Sequence, residues 1–298
     1  FKYDINAILS DLIYTRILDS CSKRSSFRTA HEFLEKPSYE LHDVYRALDV
    51  LGSECDLIQA DVYKNSHFLG KRNDGILYYD CTNYYFEIEQ EDGDKKYGKC
   101  KQHRPNPIIQ MGMFMDGDGI PLAFSLFPGN ANEQTSLKPL EEKVLQDFGC
   151  TKFIYCSDAG LGSEAIKRLN HAGERAFIVT QSIKKLSKPL QEAVFNDCDY
   201  KLLSNDLPMT LKEMHEFDKN DEDNLHLYND ILYKVISADK AVDLGLTEEY
   251  VTSTGKTGTK KVKGELKQYV IITFSRKAME YQRHIRNSQI EPVSYTHL

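Results

Sequence analysis

The sequence predicts an α/β protein with a mixed sheet built in the order β-β-β-α-β-α-β, preceded by a helical unit and followed by a β-rich insertion. Three observations carry this. A β-branched and aromatic run at 76–88 is followed by two apolar runs, 108–115 and 120–127, set around Asp116, Gly117, Asp118 and Gly119. Asp-Gly between such runs is a strong hairpin signal. Two more short apolar runs, 152–156 and 176–180, each follow a stretch of helical periodicity. Strands separated by helices pair in parallel through crossovers.

In chain order, residues 4–19 place Ile5, Ile8, Leu9, Leu12, Ile13 and Ile17 at helical spacing, so a first amphipathic helix is expected. Two further helices are expected at 28–34 and 39–51, the latter capped by Ser38 and stopped by Gly52. The run at 76–88 is a strand, bounded by Asn73, Asp74 and Gly75 before and by the charged stretch 89–94 after. After the hairpin, Pro128, Gly129 and Asn130 turn the chain into a helix at 133–148, whose Leu137, Leu140, Val144, Leu145 and Phe148 share a face. A strand at 152–156 runs into Ser157, Asp158, Ala159 and Gly160. Ser163 then caps a helix at 164–171, before the fifth strand at 176–180. Strand-like runs at 231–236 and 269–274, with a Gly/Lys/Thr-rich hairpin or loop at 253–264 between them, mark a β-rich subdomain. A basic helix follows at 276–289.

The expected domains are therefore a helical region at 1–72, a core at 73–182, an insertion at 183–275 and a return to the core at 276–291. Residues 292–298 read as foreign sequence. Both ends read as cut, since the chain begins at Phe1 already in a helical pattern.

With 298 residues, 41% of them hydrophobic and 28% charged, the chain can bury a real core. No apolar run reaches the roughly 20 residues needed to cross a bilayer, and no signal-peptide pattern opens the chain, which places it in the cytoplasm. Seven cysteines form no CxxC pair, so they read as reduced thiols rather than a zinc site or disulfide framework. The net charge of −7 argues against a polyanionic partner, yet the positive charge is clumped. Clumps stand at 23–28, at 95–104, at 184–188 and at Lys256, Lys260, Lys261, Lys263 and Lys267, and a phosphate backbone responds to such local patches.

Asp80 sits within the first strand, flanked by Tyr79 and Cys81. The strand reads as buried, so its carboxylate must leave water as the strand packs and needs a partner, a hydrogen bond or a metal; the plain alternative is a turn-capping aspartate. Asp158 follows the fourth strand directly. Should the first and fourth strands be neighbours, the two carboxylates lie side by side, and a cation between them relieves their repulsion. Hard oxygen ligands without His or Cys favour Mg²⁺ or Mn²⁺, and such a site suits two-metal phosphodiester chemistry. Among the other polar residues, Lys101, His103, Arg104, Lys184 and Lys185 are candidates for contact with DNA phosphates. Asp116 and Asp118 read as turn formers. Glu133 reads as a helix-start acid favouring the dipole, with a metal role as its rival.

Tyr78 to Asn83, Asp116 to Leu122, Phe127 to Asn130 with Glu133, and Ser157 to Gly160 together resemble the DDE-domain transposases of bacterial insertion sequences, over about 76–182. The resemblance implies a ribonuclease-H-like fold, with Asp80 and Asp158 as the first two metal-binding acids holding two Mg²⁺ or Mn²⁺ ions. It also implies DNA as substrate, strand nicking followed by strand transfer, and a homodimer on paired DNA ends. The family's third acid is a Glu in the pattern Tyr-x2-Arg-x3-Glu-x6-Lys. Counted from Tyr281, the arginine position here holds His284 and the glutamate position Ser288, while Glu291 falls three residues late. On the resemblance, the third acid lies beyond this chain and the chain as it stands is inactive. The rival readings are a ribonuclease-H-like nuclease without strand transfer and a catalytically dead DNA-binding protein.

Overall fold

The computed structural model describes residues 2–171, 173–251 and 257–295, with the side chains of 241–248, 251, 261, 263 and 291–295 outside the description. Lys256 and the side chains of Lys261 and Lys263 therefore lie outside the described residues; of the expected hairpin or loop at 253–264, residues 253–256 lie outside them too, while 257–264 belong to a strand. The chain divides into two compact units, residues 1–166 with 172–179 and residues 167–171 with 180–298.

The first unit opens with four helices: α1 (Ile5–Leu18), α2 (Lys23–Ala30), α3 (Leu41–Ser53) and α4 (Cys55–Leu69). The Asp4 carboxylate caps α1 by accepting from the amides of Asn6 and Ala7 at 2.9 and 3.2 Å. Helix α2 lies upstream of the predicted 28–34, because Ser22 Oγ accepts from Ser25 N and starts the helix there. Ser38 does not cap α3. The helix begins after Glu40, whose amide donates to Asp43 Oδ2 at 3.1 Å, and it runs through Gly52. Ile8, Tyr39, Val44 and Ala47 form the helical core, whereas Leu9, Ile13 and Ile17 of the predicted apolar face stay exposed.

The sheet follows as β1 (Ile76–Tyr85), β2 (Ile108–Asp116), β3 (Pro121–Pro128), α5 (Glu133–Gln146), β4 (Ile154–Ser157), α6 (Glu164–Leu169) and β5 (Ala176–Val179). Its spatial order is β3-β2-β1-β4-β5. The β1/β2 and β2/β3 pairs are antiparallel, as hairpins require, and β1/β4 and β4/β5 are parallel, which α5 and α6 make possible as crossovers. Strand β1 alternates. Leu77, Tyr79 and Cys81 are buried with Ala60 and Tyr63 of α4 and with Leu137, Leu140 and Val144 of α5. One face of the sheet is thus covered by helices.

Asp116 does more than shape its turn. It is fully buried, accepts from Asp118 N and Ile120 N at 3.1 and 2.9 Å, and pairs with Arg72 Nε at 2.6 Å. Burial alone would raise its carboxyl, but the Ile120 amide and the Arg72 guanidinium outweigh this and hold it below the usual carboxylate value. Asp118, by contrast, is a turn residue that accepts from Asn73 Nδ2 at 3.0 Å.

The second unit contains α7 (Lys188–Phe195), β6 (Lys201–Leu202), α8 (Leu211–Glu216), α9 (Leu225–Asn229), β7 (Leu232–Ser237), β8 (Lys240–Val251), β9 (Thr257–Leu266), β10 (Tyr269–Phe274) and α10 (Arg276–Tyr295). The stretch read as β-rich thus also carries three helices. Strands β10, β7 and β6 form one sheet, β8 and β9 a two-stranded ribbon, and Tyr200, Leu202, Met214 and Leu232 a core. Lys234, nearly buried, donates to the carbonyls of Ala193, Asn196 and Cys198 at 2.9, 3.1 and 2.7 Å. It thereby satisfies carbonyls left open at the end of α7. Helix α10 continues through residues 292–295, which by sequence alone read as foreign sequence.

Candidate active site

The site begins with the alternation of β1. Because Tyr79 and Cys81 point into the core, Asp80 between them points to the opposite face. Its side chain is 64% exposed, so the expected desolvation does not occur. The face that β1 turns away from α4 and α5 leaves this carboxylate in water, and no buried-charge penalty forces a partner on it.

Register then decides which residue stands beside it. β1 pairs with β4 as Ile76 with Ile154, Leu77 with Tyr155 and Tyr78 with Cys156. Asp158 follows Asp80 by the same offset, and it comes one residue after the end of β4. The last paired residues are Tyr78 and Cys156, two positions before Asp80 and Asp158, so both aspartates lie just beyond the paired stretch of two parallel neighbours. Asp158 is also engaged locally. Its Oδ1 accepts from Gly160 N and Leu161 N at 2.9 and 3.2 Å, capping the single 3-10 turn at Ala159–Leu161.

Both carboxylates line one cleft of about 840 Å³, together with Glu133, Lys101 and His103. Four hydrogen bonds hold the first turn of α5 beside it. Asn132 caps the helix by accepting from Gln134 N at 3.0 Å, and Gln134 Nε2 donates to Gly160 O at 2.9 Å, tying α5 to the turn after Asp158. On the other side Ser136 Oγ donates to Glu133 O at 2.6 Å and bonds Tyr79 OH at 2.7 Å, so the tyrosine hydroxyl is the donor there. Burial pushes the Tyr79 hydroxyl far above its usual value and raises the Cys81 thiol beside it, so both stay protonated at neutral pH. Glu133 is thereby held in the first turn of α5, as the sequence suggested, and on the cleft as well.

Lys101 is placed by a residue that the sequence does not mark out. Asn83, buried three positions after Asp80 on β1, donates from Nδ2 to Lys99 O at 3.2 Å and accepts from Lys101 N at 3.1 Å. This clamp sets the Lys101 ammonium 3.9 Å from Asp80 Oδ1 and lets it donate to Cys81 O. The one sequence signal for it is a lone amide among aromatic strand residues. His103, with φ of 56°, turns the loop through the left-handed region, its amide bonded to Cys100 O at 3.0 Å. Arg104 instead lays its guanidinium 5.4 Å from the centre of the Tyr85 ring. Lys184 and Lys185 belong to the second unit, exposed on a 3-10 turn at Ile183–Lys185.

Among the described residues, no group of three or more His, Cys, Asp or Glu side chains is gathered so as to hold a metal ion. What the cleft offers is two exposed carboxylates on one lining. That donor set fits a hard ion such as Mg²⁺, which usually keeps several waters, binds one or two carboxylates and takes substrate phosphates as further ligands.

No family model matches the chain, and no curated protein matches it. Among solved structures it is similar to the piggyBac transposase synaptic complex with hairpin DNA, with a TM-score of 0.28 and 10% identity over 62% of this chain and 32% of that one. It is also similar to the Mos1 transposase paired-end complex with left transposon end, at 0.25 and 13% over 61% and 59% of the two chains. A Mos1 mariner paired-end complex with Mn gives 0.25 and 12%, over 61% and 60%. The chain spans less than two thirds of the length of each. Likeness at this level decides nothing about the site, which rests on its own geometry.

Proposed function

We propose that the first unit is the catalytic core of a DDE-type DNA transposase with a ribonuclease-H-like sheet, acting by phosphodiester hydrolysis and strand transfer. One observation carries the reading: Asp80 on β1 and Asp158, just past the end of its parallel neighbour β4, line one open cleft that also presents Lys101 and His103. Ends of parallel strands are where α/β sheets collect functional groups. Asp80 and Asp158 are the residues that would hold Mg²⁺ or Mn²⁺. When bound, such ions supply Lewis-acid polarisation of the phosphate and activation of the attacking water or 3′-OH. The chain's own contribution is to orient the two carboxylates, through the β1/β4 pairing and the 3-10 turn. It also sets cationic side chains where a DNA backbone would enter. DNA ends and target DNA are the proposed partners, bound by a homodimer.

The test is a nicking and joining assay in Mg²⁺ or Mn²⁺ on the natural protein that carries these residues, against Asp80→Asn and Asp158→Asn. Both variants keep the fold and DNA binding and lose both reactions; retained nicking by either would falsify the reading. Nicking without joining supports a nuclease instead. A second reading, a DNA-binding protein without strand cleavage, is favoured by His284 and Ser288, which stand where the family pattern has its arginine and glutamate. Salt-sensitive DNA binding with no metal-dependent reaction is its signature.

A further inference from the structure

We infer that Lys101 is a built-in counter-cation to Asp80, which a divalent ion must displace and which then serves the phosphate of bound DNA. This deepens the transposase reading and rests on it. Three observations place the lysine by construction rather than by chance of a flexible surface chain. Its backbone is gripped by the buried Asn83 amide on both sides, at Lys99 O and at Lys101 N. Its ammonium reaches back over β1 to donate to Cys81 O, the carbonyl next to Asp80. It stands 3.9 Å from the Asp80 carboxylate at the rim of the cleft that Asp158 also lines.

The chemistry follows from charge. With the lysine in place the pair of aspartates presents one net negative charge to an entering ion instead of two. A metal on Asp80 replaces the attraction that holds the ammonium there with repulsion, and leaves its hydrogen bonds to be made elsewhere. A phosphate oxygen entering the same cleft is the acceptor within reach of a mobile four-carbon side chain. The coupling is modest because both side chains are at least half exposed, and exposed ion pairs are worth only a few-fold in an equilibrium.

The experiment measures Mn²⁺ binding to the DNA-free protein by electron paramagnetic resonance, for wild type, Lys101→Met, Lys101→Arg and Asp80→Asn. Lys101→Met should bind Mn²⁺ about two- to fivefold more tightly than wild type, on the scale of one exposed ion pair. Lys101→Arg should stay near wild type, and Asp80→Asn should lose most of the binding. With metal present, Lys101→Met should lower the salt slope of DNA binding by about one phosphate contact. Unchanged or weaker Mn²⁺ binding in Lys101→Met overturns the inference while leaving the metal reading intact. Equal binding in Asp80→Asn and wild type, or none in any variant, overturns both. Asn83→Ala should mimic Lys101→Met in metal affinity if the clamp does the placing, and wild-type affinity in a folded Asn83→Ala protein overturns that part.

Discussion

Replacing Asp116 by Ala should be among the most damaging single changes in the first unit, although the residue lies outside the cleft. The carboxylate is fully buried and the Arg72 side chain is 8% exposed. Arg72 is held by Asp116 Oδ2 at 2.6 Å, by Ser66 Oγ at 2.9 Å and by the carbonyls of Ile120 and Pro121 at 3.3 and 3.2 Å. The alanine variant leaves that guanidinium buried without a counter-charge and strips the Asp118 and Ile120 amides of their acceptor. Breaking a buried ion pair from one side costs about 3–5 kcal/mol, and at 1.4 kcal/mol per tenfold this is about two to three and a half orders of magnitude. Two compact units need not unfold together, so the suitable assay is amide hydrogen exchange at β2 and β3 rather than one global transition. Exchange there should accelerate by that factor. Asp116→Ala combined with Arg72→Met should lose much less than the sum of the singles, since no orphan charge remains. There is a pH signature too. A carboxyl held below its unfolded value of about 3.9 contributes stability above that pH and loses it as pH falls through the lower folded value. Wild-type protection should drop on acidification below about pH 4, and the double variant should lack this component. A single variant costing under about 1 kcal/mol, or strictly additive singles, would show that the pair is not acting as a buried charge pair.

Four shorter tests follow. Gly112→Ala should destabilise the sheet by about 1–3 kcal/mol, because its Cβ would lie 2.1 Å from the Tyr79 hydroxyl; Tyr79→Phe added to it should recover part of the loss in urea unfolding. Asp158→Ala should cost about 1 kcal/mol through the lost cap, whereas Asp158→Asn keeps an acceptor for Gly160 and Leu161 and should melt like wild type in calorimetry. Lys234→Met should destabilise the second unit by about 2–4 kcal/mol, since three carbonyls lose a charged donor; unchanged protection of β7 amides would contradict this. In timed alkylation read by mass spectrometry, exposed Cys198 should react first. Cys81 and Cys150, buried and with thiols pushed up by burial, should react last in the folded protein.

The sequence by itself determined the order of the elements from β1 to β5, but it missed α4 (Cys55–Leu69), which packs against the sheet. Strand runs, the Asp-Gly hairpin and the helix-spaced leucines of α5 are local signals, and local signals survive without a fold. It also determined which two aspartates to consider, because both stand at strands whose apolar runs are unmistakable. What it could not determine was the direction in which Asp80 points. Its neighbours Tyr79 and Cys81 are buried, yet a strand turns alternate residues to opposite faces. Which face carries α4 and α5 is settled by packing between segments far apart in sequence. That Asp80 and Asp158 line one cleft needed the parallel pairing of β1 with β4, a property of two strands that a whole crossover separates. Asp116 looked like a turn former because its turn is local, while its pairing with Arg72 joins residues 44 positions apart. The Asn83 clamp on the Lys99–Lys101 strap was hidden for the same reason. An amide on a strand is an ordinary residue until tertiary structure brings it a backbone to grip.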